Sequence, residues 1–326
     1  MHYNWAVMGP VLLLGPQGRR PILDRVITDQ GLEGRIAAVT AGWQEREAED
    51  DELAEHLSGR TVNLQLHQRA ERVFAEDPEF AAGYRRRRSR LRRAQELYRL
   101  RLEHAMAAVR ELMQRDGDGD LRAAELSAAF KAVRRLDKGH LSRIRAVHAE
   151  FDAAWSPLER SAVVKRREEL GEILSGCAAV AIAGGHVAVL LNRLRLFGLE
   201  RLIGDRPVLA WSAGAMALAE RVVLFHDSPP QGFGNAEVLE SGLGLYGRIL
   251  PLPHARRRLR LEDSYRVAEF ARRFSPSFCV PMDDGDYLKI QGTAVWAEAP
   301  VRRLGVDGRV ERFGTDSAVS GNVRRR

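Results

Sequence analysis

The sequence predicts an α/β fold interrupted by an all-helical insertion, and three observations carry that expectation. Short apolar runs closed by glycine or polar residues occur toward both ends of the chain, the middle lacks them, and the middle holds all of the net charge. Residues 1–68 and 171–326 are therefore read as one discontinuous α/β domain, and residues 69–170 as a basic helical insertion. A length of 326 residues suits about two folded units with a sizeable core.

Along the first part, Val11-Leu-Leu-Leu14 and Arg35-Ile-Ala-Ala-Val-Thr40 have the look of buried parallel strands, residues 44–57 read as an acidic helix, and Thr61-Val-Asn-Leu-Gln-Leu66 alternates like a further strand. In the middle, Leu91, Leu97 or Tyr98, Leu102, and Ala105 or Met106 recur at helical spacing. Strand and helix then alternate again. Ala178-Ala-Val-Ala-Ile-Ala183 runs into Gly184-Gly185, a helix is expected through residues 190–197, and Pro207-Val-Leu-Ala-Trp211 forms another strand. The chain closes in short strands with turns at Asp284-Gly285 and Asp307-Gly308, then a basic tail, Arg324-Arg-Arg326, expected to be mobile.

Composition excludes several classes. With 45% apolar residues the chain is not wholly disordered, and no run of about 18 apolar residues exists to span a membrane. Two cysteines, Cys177 and Cys279, rule out a disulfide scaffold or a four-cysteine zinc site, and their apolar neighbours make them buried thiols. The first fifteen residues lack a basic leader, so a soluble, cytoplasmic protein is expected. Arginine accounts for 47 of the 51 basic residues (51 less four lysines), which fits nucleic-acid binding or a coding bias equally well.

Ala210-Trp-Ser212-Ala-Gly214-Ala-Met216 follows an apolar strand and opens a helical run. A tight strand-to-helix turn of this kind projects its central side chain above the sheet and demands small neighbours, which Ala213, Gly214 and Ala215 are. The Ala213 amide, at the helix start, can face an oxyanion. A serine nucleophile needs a base, and His254, closing Ile249-Leu-Pro-Leu-Pro-His254, is the strongest candidate. Asp227, after His226, could orient its imidazole.

Ser212, Asp227 fifteen residues later and Pro253-His254 forty-two after Ser212 resemble the serine peptidase family of aspartyl dipeptidase and cyanophycinase. Gly184-Gly185, Gly242-Leu-Gly-Leu245, Met282-Asp-Asp-Gly-Asp-Tyr-Leu288 and the His254, Arg258, Arg260 pattern add to the likeness. It covers about residues 10–68 and 178–313. The resemblance implies a class I glutamine-amidotransferase-like fold with a mostly parallel, doubly wound sheet. It implies a serine hydrolase, a peptidase or dipeptidase cleaving peptide or isopeptide bonds through an acyl-enzyme. Ser212 would be nucleophile, His254 base and Asp227 its partner, with Gly185 and Ala213 forming the oxyanion hole. Arg258, Arg260 and His186 would contact substrate. His186-Val187 stands where the family carries polar pairs, so the family's specificity is not inherited. An α/β-hydrolase would space its acid and histidine more widely, and a glutamine amidotransferase would carry cysteine at position 212.

Residues 69–170 hold 24 basic and 17 acidic side chains, a net +7, which leaves 27 of each elsewhere. The densest patch is Arg85 to Arg88 with Arg90, Arg92 and Arg93, read first as a solvated face and alternatively as a surface for an acidic partner. Gln114 to Glu125 resembles a calcium loop, with Asp116, Asp118, Asp120 and Glu125 as weak ligand candidates. Gln114 replaces the usual first carboxylate, so an acidic turn is favoured. No cofactor is expected. The expected partners are a peptide or small-molecule substrate and an acidic partner at the insertion; a homodimer is allowed, and nucleic acid and membrane are disfavoured. The rival to the enzyme is a catalytically silent binding protein whose insertion recruits that acidic partner. A calcium-responsive form of either ranks below both.

Overall fold

Apolar runs at both ends of the chain meet in one sheet in this computed structural model, which describes residues 9–117, 119–227, 234–297 and 301–314. The first part supplies β1 (Val11–Leu14), α1 (Leu23–Asp29), β2 (Arg35–Val39), α2 (Asp51–His56) and β3 (Thr61–Asn63). Four helices follow: α3 (Leu66–Glu76), α4 (Pro78–Gln114), α5 (Gly119–Trp155) and α6 (Ser161–Ser175). Then come β4 (Cys177–Ile182), α7 (Val187–Leu196), α8 (Leu199–Ile203), β5 (Val208–Trp211), α9 (Ala213–Leu218), β6 (Val222–Leu224) and β7 (Glu237–Glu240). The last part holds β8 (Ile249–Pro253), α10 (Ala255–Arg258), α11 (Ser264–Phe274), β9 (Phe278–Met282), β10 (Tyr287–Gln291), β11 (Ala294–Ala297), β12 (Arg302–Leu304) and β13 (Val310–Arg312).

The seven-stranded sheet has the order β11-β10-β1-β5-β4-β2-β3. Its first five strands in chain order, β1 to β5, run parallel; β10 adds antiparallel to β1, and β11 adds antiparallel to β10. Period-two alternation divides the strands between two faces. Leu12, Leu14, Ile36, Ala38, Leu209 and Trp211 pack under α1 and α2, whereas Val11, Leu13, Val39, Ile182 and Ala210 join a larger apolar cluster with the remaining helices. A sheet covered by helices on both faces explains strands that read as unbroken apolar runs.

The helical region is also the crossover from edge strand β3 to interior strand β4. Asp77 caps α4 by accepting from the Phe80 amide at 3.0 Å, ahead of Pro78 at the first turn. Helices α4 and α5, of 37 residues each, form an antiparallel hairpin in which Phe80 meets Phe151 and Tyr98 meets His140. Tyr98, Leu102, Met106 and Val109 are buried there with Phe130, Val133 and Phe151, in the same cluster as the sheet. Leu97 faces solvent, which settles the choice between it and Tyr98.

Two expected elements end early. The acidic helix over residues 44–57 is broken into a 3-10 turn, Ala41–Arg46, with Gln44 at φ 60°, and the short α2. The strand expected over residues 61–66 stops at Asn63, whose side chain accepts from the Gln65 amide at 3.0 Å and turns the chain into α3. Buried Glu47 accepts the His67 and Gln68 amides at 2.9 and 2.8 Å, closing the start of that helix. Cys177 and Cys279 are buried and unbridged, and burial pushes the Cys279 thiol up to about 12. Among the described residues no helix is long and apolar enough to cross a membrane. The basic tail at residues 324–326 and Asp118 lie outside the described residues.

Candidate active site

Ser212 sits in the turn between β5 and α9 with φ 51° and ψ −121°, a strained backbone for a residue with a side chain. The turn is held from below. A Cβ on Gly214 would stand 2.3 Å from the Ile182 carbonyl oxygen, and a Cβ on Gly184 would stand 2.8 Å from the Ser212 Cβ. Small residues at these places let the elbow descend onto β4 while the hydroxyl stays at the sheet's carboxyl edge.

His254 reaches the same point from another strand. It directly follows β8, which runs parallel to β9, and its amide donates to the Met282 carbonyl at 2.9 Å. A left-handed backbone, φ 56°, swings its ring toward Ser212, and Oγ lies 3.0 Å from Nε2. Burial lowers the imidazole below its usual range, Arg258 and Arg257 lower it further, and Asp283 and Asp284 oppose them. A neutral imidazole at this distance from a hydroxyl is placed to take its proton.

Asp227 departs from the expected arrangement. Its enclosed carboxylate accepts from Arg266 Nη2 at 2.6 Å and Nε at 3.1 Å, and from the Arg260 amide at 3.2 Å. No hydrogen bond joins it to His254 among the described residues. Arg266 is itself buried, and a buried guanidinium needs that carboxylate for compensation. The acids that act on His254 are instead Asp283 and Asp284, from the Met282-Asp-Asp-Gly turn. Asp283 accepts from the Arg256 amide and from Arg302, both at 3.0 Å.

Gly185 and Ala213 flank Ser212. Gly185 has φ 106°, and a Cβ there would lie 2.4 Å from the Gly42 carbonyl oxygen, so only glycine fits against the 41–46 turn. Among the described residues the Gly185 amide makes no backbone hydrogen bond, and Ala213, first in α9, has no acceptor within its helix. Both residues line a cavity of about 370 Å³ with Ser212, His254, His226, Arg258 and Glu237. A second cavity, of about 980 Å³, also touches Gly185, Ser212 and His254, with Trp43, Arg256, Arg257 and Asp284.

The expected substrate contacts separate. Arg258 lines the smaller cavity, and its guanidinium has no hydrogen-bond or ion-pair partner among the described residues. Arg260 lines neither cavity, because its short segment is pinned by its amide to Asp227. His186 lines neither as well: its Nδ1 caps α7 by accepting from the Val189 amide at 3.3 Å, and its own amide donates to Gly42. Of the calcium-loop candidates, Asp120 and Glu125 lie within α5, which starts at Gly119, Asp116 precedes that helix, and Asp118 lies outside the described residues. Among the described residues no three metal-ligating side chains cluster.

Sequence reasoning missed the contribution of the helical region. Arg99 of α4 lines the smaller cavity and grips Glu237 of β7 bidentately at 2.8 and 2.9 Å, and Gln95 adds a bond to Glu237 at 3.0 Å. Behind them, buried Asp137 accepts from Tyr98 at 2.7 Å and from two nitrogens of buried Arg273 at 2.9 Å. The polar side chains between buried apolar positions of α4 and α5 were the available signal.

No protein-family model matches the chain, and no curated protein matches it. Among solved structures, the chain is similar to a peptidase from an acI-B1 Actinobacterium at 14% identity and a TM-score of 0.41, over 96% of this chain and 100% of that one. It is also similar to a candidate peptidase E protein from Listeria monocytogenes EGD-e at 12% identity and a TM-score of 0.43, over 91% of this chain and 100% of that one. Both overlaps are loose, and neither assigns the chemistry at Ser212.

Proposed function

We propose that the chain is a serine hydrolase cleaving a peptide or isopeptide bond through an acyl-enzyme built on Ser212 and His254. The observation that carries this reading is the 3.0 Å approach of Oγ to Nε2 at a strained strand-to-helix elbow. His254 takes the hydroxyl proton as Oγ bonds to the substrate carbonyl carbon, and the carbonyl electron pair moves onto oxygen. The Gly185 and Ala213 amides receive that oxyanion. Its collapse breaks the bond to nitrogen, and the leaving amine takes the proton from His254. Water then repeats the sequence on the acyl group and frees Ser212. Asp283 and Asp284 stabilise the imidazolium electrostatically, in place of Asp227. Arg258, unpaired at the cavity wall, binds a carboxylate of the substrate.

The test compares the wild type with Ser212→Ala and His254→Ala on simple esters, acidic dipeptides and a β-aspartyl-arginine polymer. Each substitution should lower turnover by about a thousandfold or more. Turnover by Ser212→Ala equal to wild type on every substrate would overturn the reading and leave a binding protein.

A further inference from the structure

Five arginines are buried among the described residues, and four of them meet a carboxylate. Arg166 pairs with Glu76 and Glu169, Arg193 with Glu71, Arg266 with Asp227 and Arg273 with Asp137. Arg87 of α4, only 8% exposed, is the fifth, and it has no ion-pair partner among the described residues. Its guanidinium donates from Nη2 to Asn192 Oδ1 at 3.2 Å, and its Cζ lies 4.0 and 4.3 Å from the ring centroids of Tyr84 and Phe151. Ring faces and one amide oxygen compensate a buried cation only in part. Arg87 lines a cavity of about 620 Å³ where the α4–α5 hairpin meets α7 and α8, and that cavity shares no residue with the two at Ser212. Glu200 of α8 lines it too, as an acid in the converse position. Its side chain is 12% exposed, its one ion pair, to Arg201, is 3.9 Å long, and its Oε2 has no hydrogen-bond partner among the described residues. Burial raises its carboxyl above the usual range, although its own amide, Arg201, Arg167 and Arg195 oppose the shift. The other charges at the cavity are matched or face water: Arg195 and His148 hold buried Glu240 at 2.7 and 2.8 Å, and Arg145, Asp152, Glu159 and Arg201 are exposed.

We propose that this cavity is a binding site, separate from the catalytic one, for a small zwitterion with an apolar body, a free amino acid or a dipeptide, whose carboxylate meets Arg87 and whose ammonium meets Glu200. A lone anion would satisfy Arg87 but bring a second negative charge to the cavity of Glu200, and a lone cation would do the reverse. Opposite charges on one molecule complete both. Tyr84, Phe151, Leu158, Leu196 and Leu243 give the apolar body its wall, and the volume falls within the range of small-ligand sites, about 300–1,000 Å³. A phosphate dianion fits poorly, because its second charge would go unmatched in a cavity that also holds Asp152 and Glu159.

Binding at this cavity needs no chemistry at Ser212, so it is measured by calorimetry on full-length Ser212→Ala protein, which turns nothing over if Ser212 is the nucleophile. The probes are phenylalanine, phenylalanyl-phenylalanine, 3-phenylpropionate, which lacks the ammonium, and phenethylamine, which lacks the carboxylate. At least one zwitterion should bind saturably below about 10 mM, and the tighter of the two identifies the source. Each probe with a single charge should bind at least about tenfold more weakly. Arg87→Met and Glu200→Gln should each weaken the zwitterion by about tenfold or more. Because Arg87 is buried and its replacement can disturb α4, a third variant leaves both charges in place: Ala149→Trp, at an exposed position of the cavity wall, fills the space and should abolish binding. Absence of saturable binding, equal affinity for a probe with one charge, or an affinity unchanged in all three variants would overturn the site.

Discussion

At the scale of single residues, the environment of His254 decides what pH the site works at. Burial, Arg258 and Arg257 all disfavour the imidazolium, and Asp283 and Asp284 favour it, with the net shift downward. Base catalysis needs the neutral ring, so the acid limb of kcat/KM should fall below pH 6.5, the ordinary histidine value. Two exposed neighbours outside the smaller cavity, Arg257 and Asp284, give a signed test. Arg257→Gln removes a repelling cation and should move the limb to higher pH; Asp284→Asn removes an attracting anion and should move it lower. Profiles on a neutral ester check both, and shifts of the same sign would show that these charges do not govern His254. The sequence made the Ser212 elbow and the Pro253-His254 strand end legible, because both depend on local pattern. The fate of Asp227 was not legible, since Arg266, which holds it, lies 39 residues away and faces it only after folding.

At the scale of elements, close packing of turns against strands sets what substitutions the site tolerates. Gly214 lets α9 rest on β4, and an alanine there would drive its Cβ to 2.3 Å from the Ile182 carbonyl oxygen. Backbone cannot yield as a flexible side chain can, so Gly214→Ala should cost about 3 kcal/mol or more and displace Ser212. Gly139, inside α5, is the contrasting case: a Cβ there meets nothing within 4 Å, and Gly139→Ala should stabilise by about 0.5–1 kcal/mol. Thermal melts followed by circular dichroism separate the two, and a harmless Gly214→Ala would mean the elbow is looser than its contacts imply. Strands β1, β2, β4 and β5 could be read from apolar runs because both faces of the sheet are covered. The break near Gln44 could not, because buried Glu47 meets Asn63 and His67 only after folding; the early end of β3 rests on a local turn, Asn63 accepting from the Gln65 amide, which the apolar alternation continuing to Leu66 masked.

For the whole molecule, the helical region and the sheet are joined by more than apolar area. Asp137 on α5 is buried against Arg273 on α11, and Tyr98 on α4 bridges the pair to the Val238 amide of β7 at 3.2 Å. Close by, Glu240 is buried, which would raise its pKa, yet Arg195 and His148 hold it down to about 2. Charge composition separated residues 69–170 from the rest but said nothing of this junction, because its members are spread over the chain from Tyr98 to Arg273. The junction backs β7, whose Glu237 holds Arg99 at the catalytic cavity, so loosening one should disturb the other. Asp137→Asn keeps the shape, removes the charge and leaves Arg273 buried without its counterion, at a cost of about 3 kcal/mol. Denaturation of wild type should be a single transition in which far-ultraviolet circular dichroism and tryptophan fluorescence coincide, since Trp155 belongs to α5 and Trp211 to the sheet. In Asp137→Asn both signals should shift together to lower denaturant. Two separated transitions in the wild type, or an unshifted midpoint in the variant, would mean that the helices are an independent unit and that Arg99 owes its position to local contacts alone.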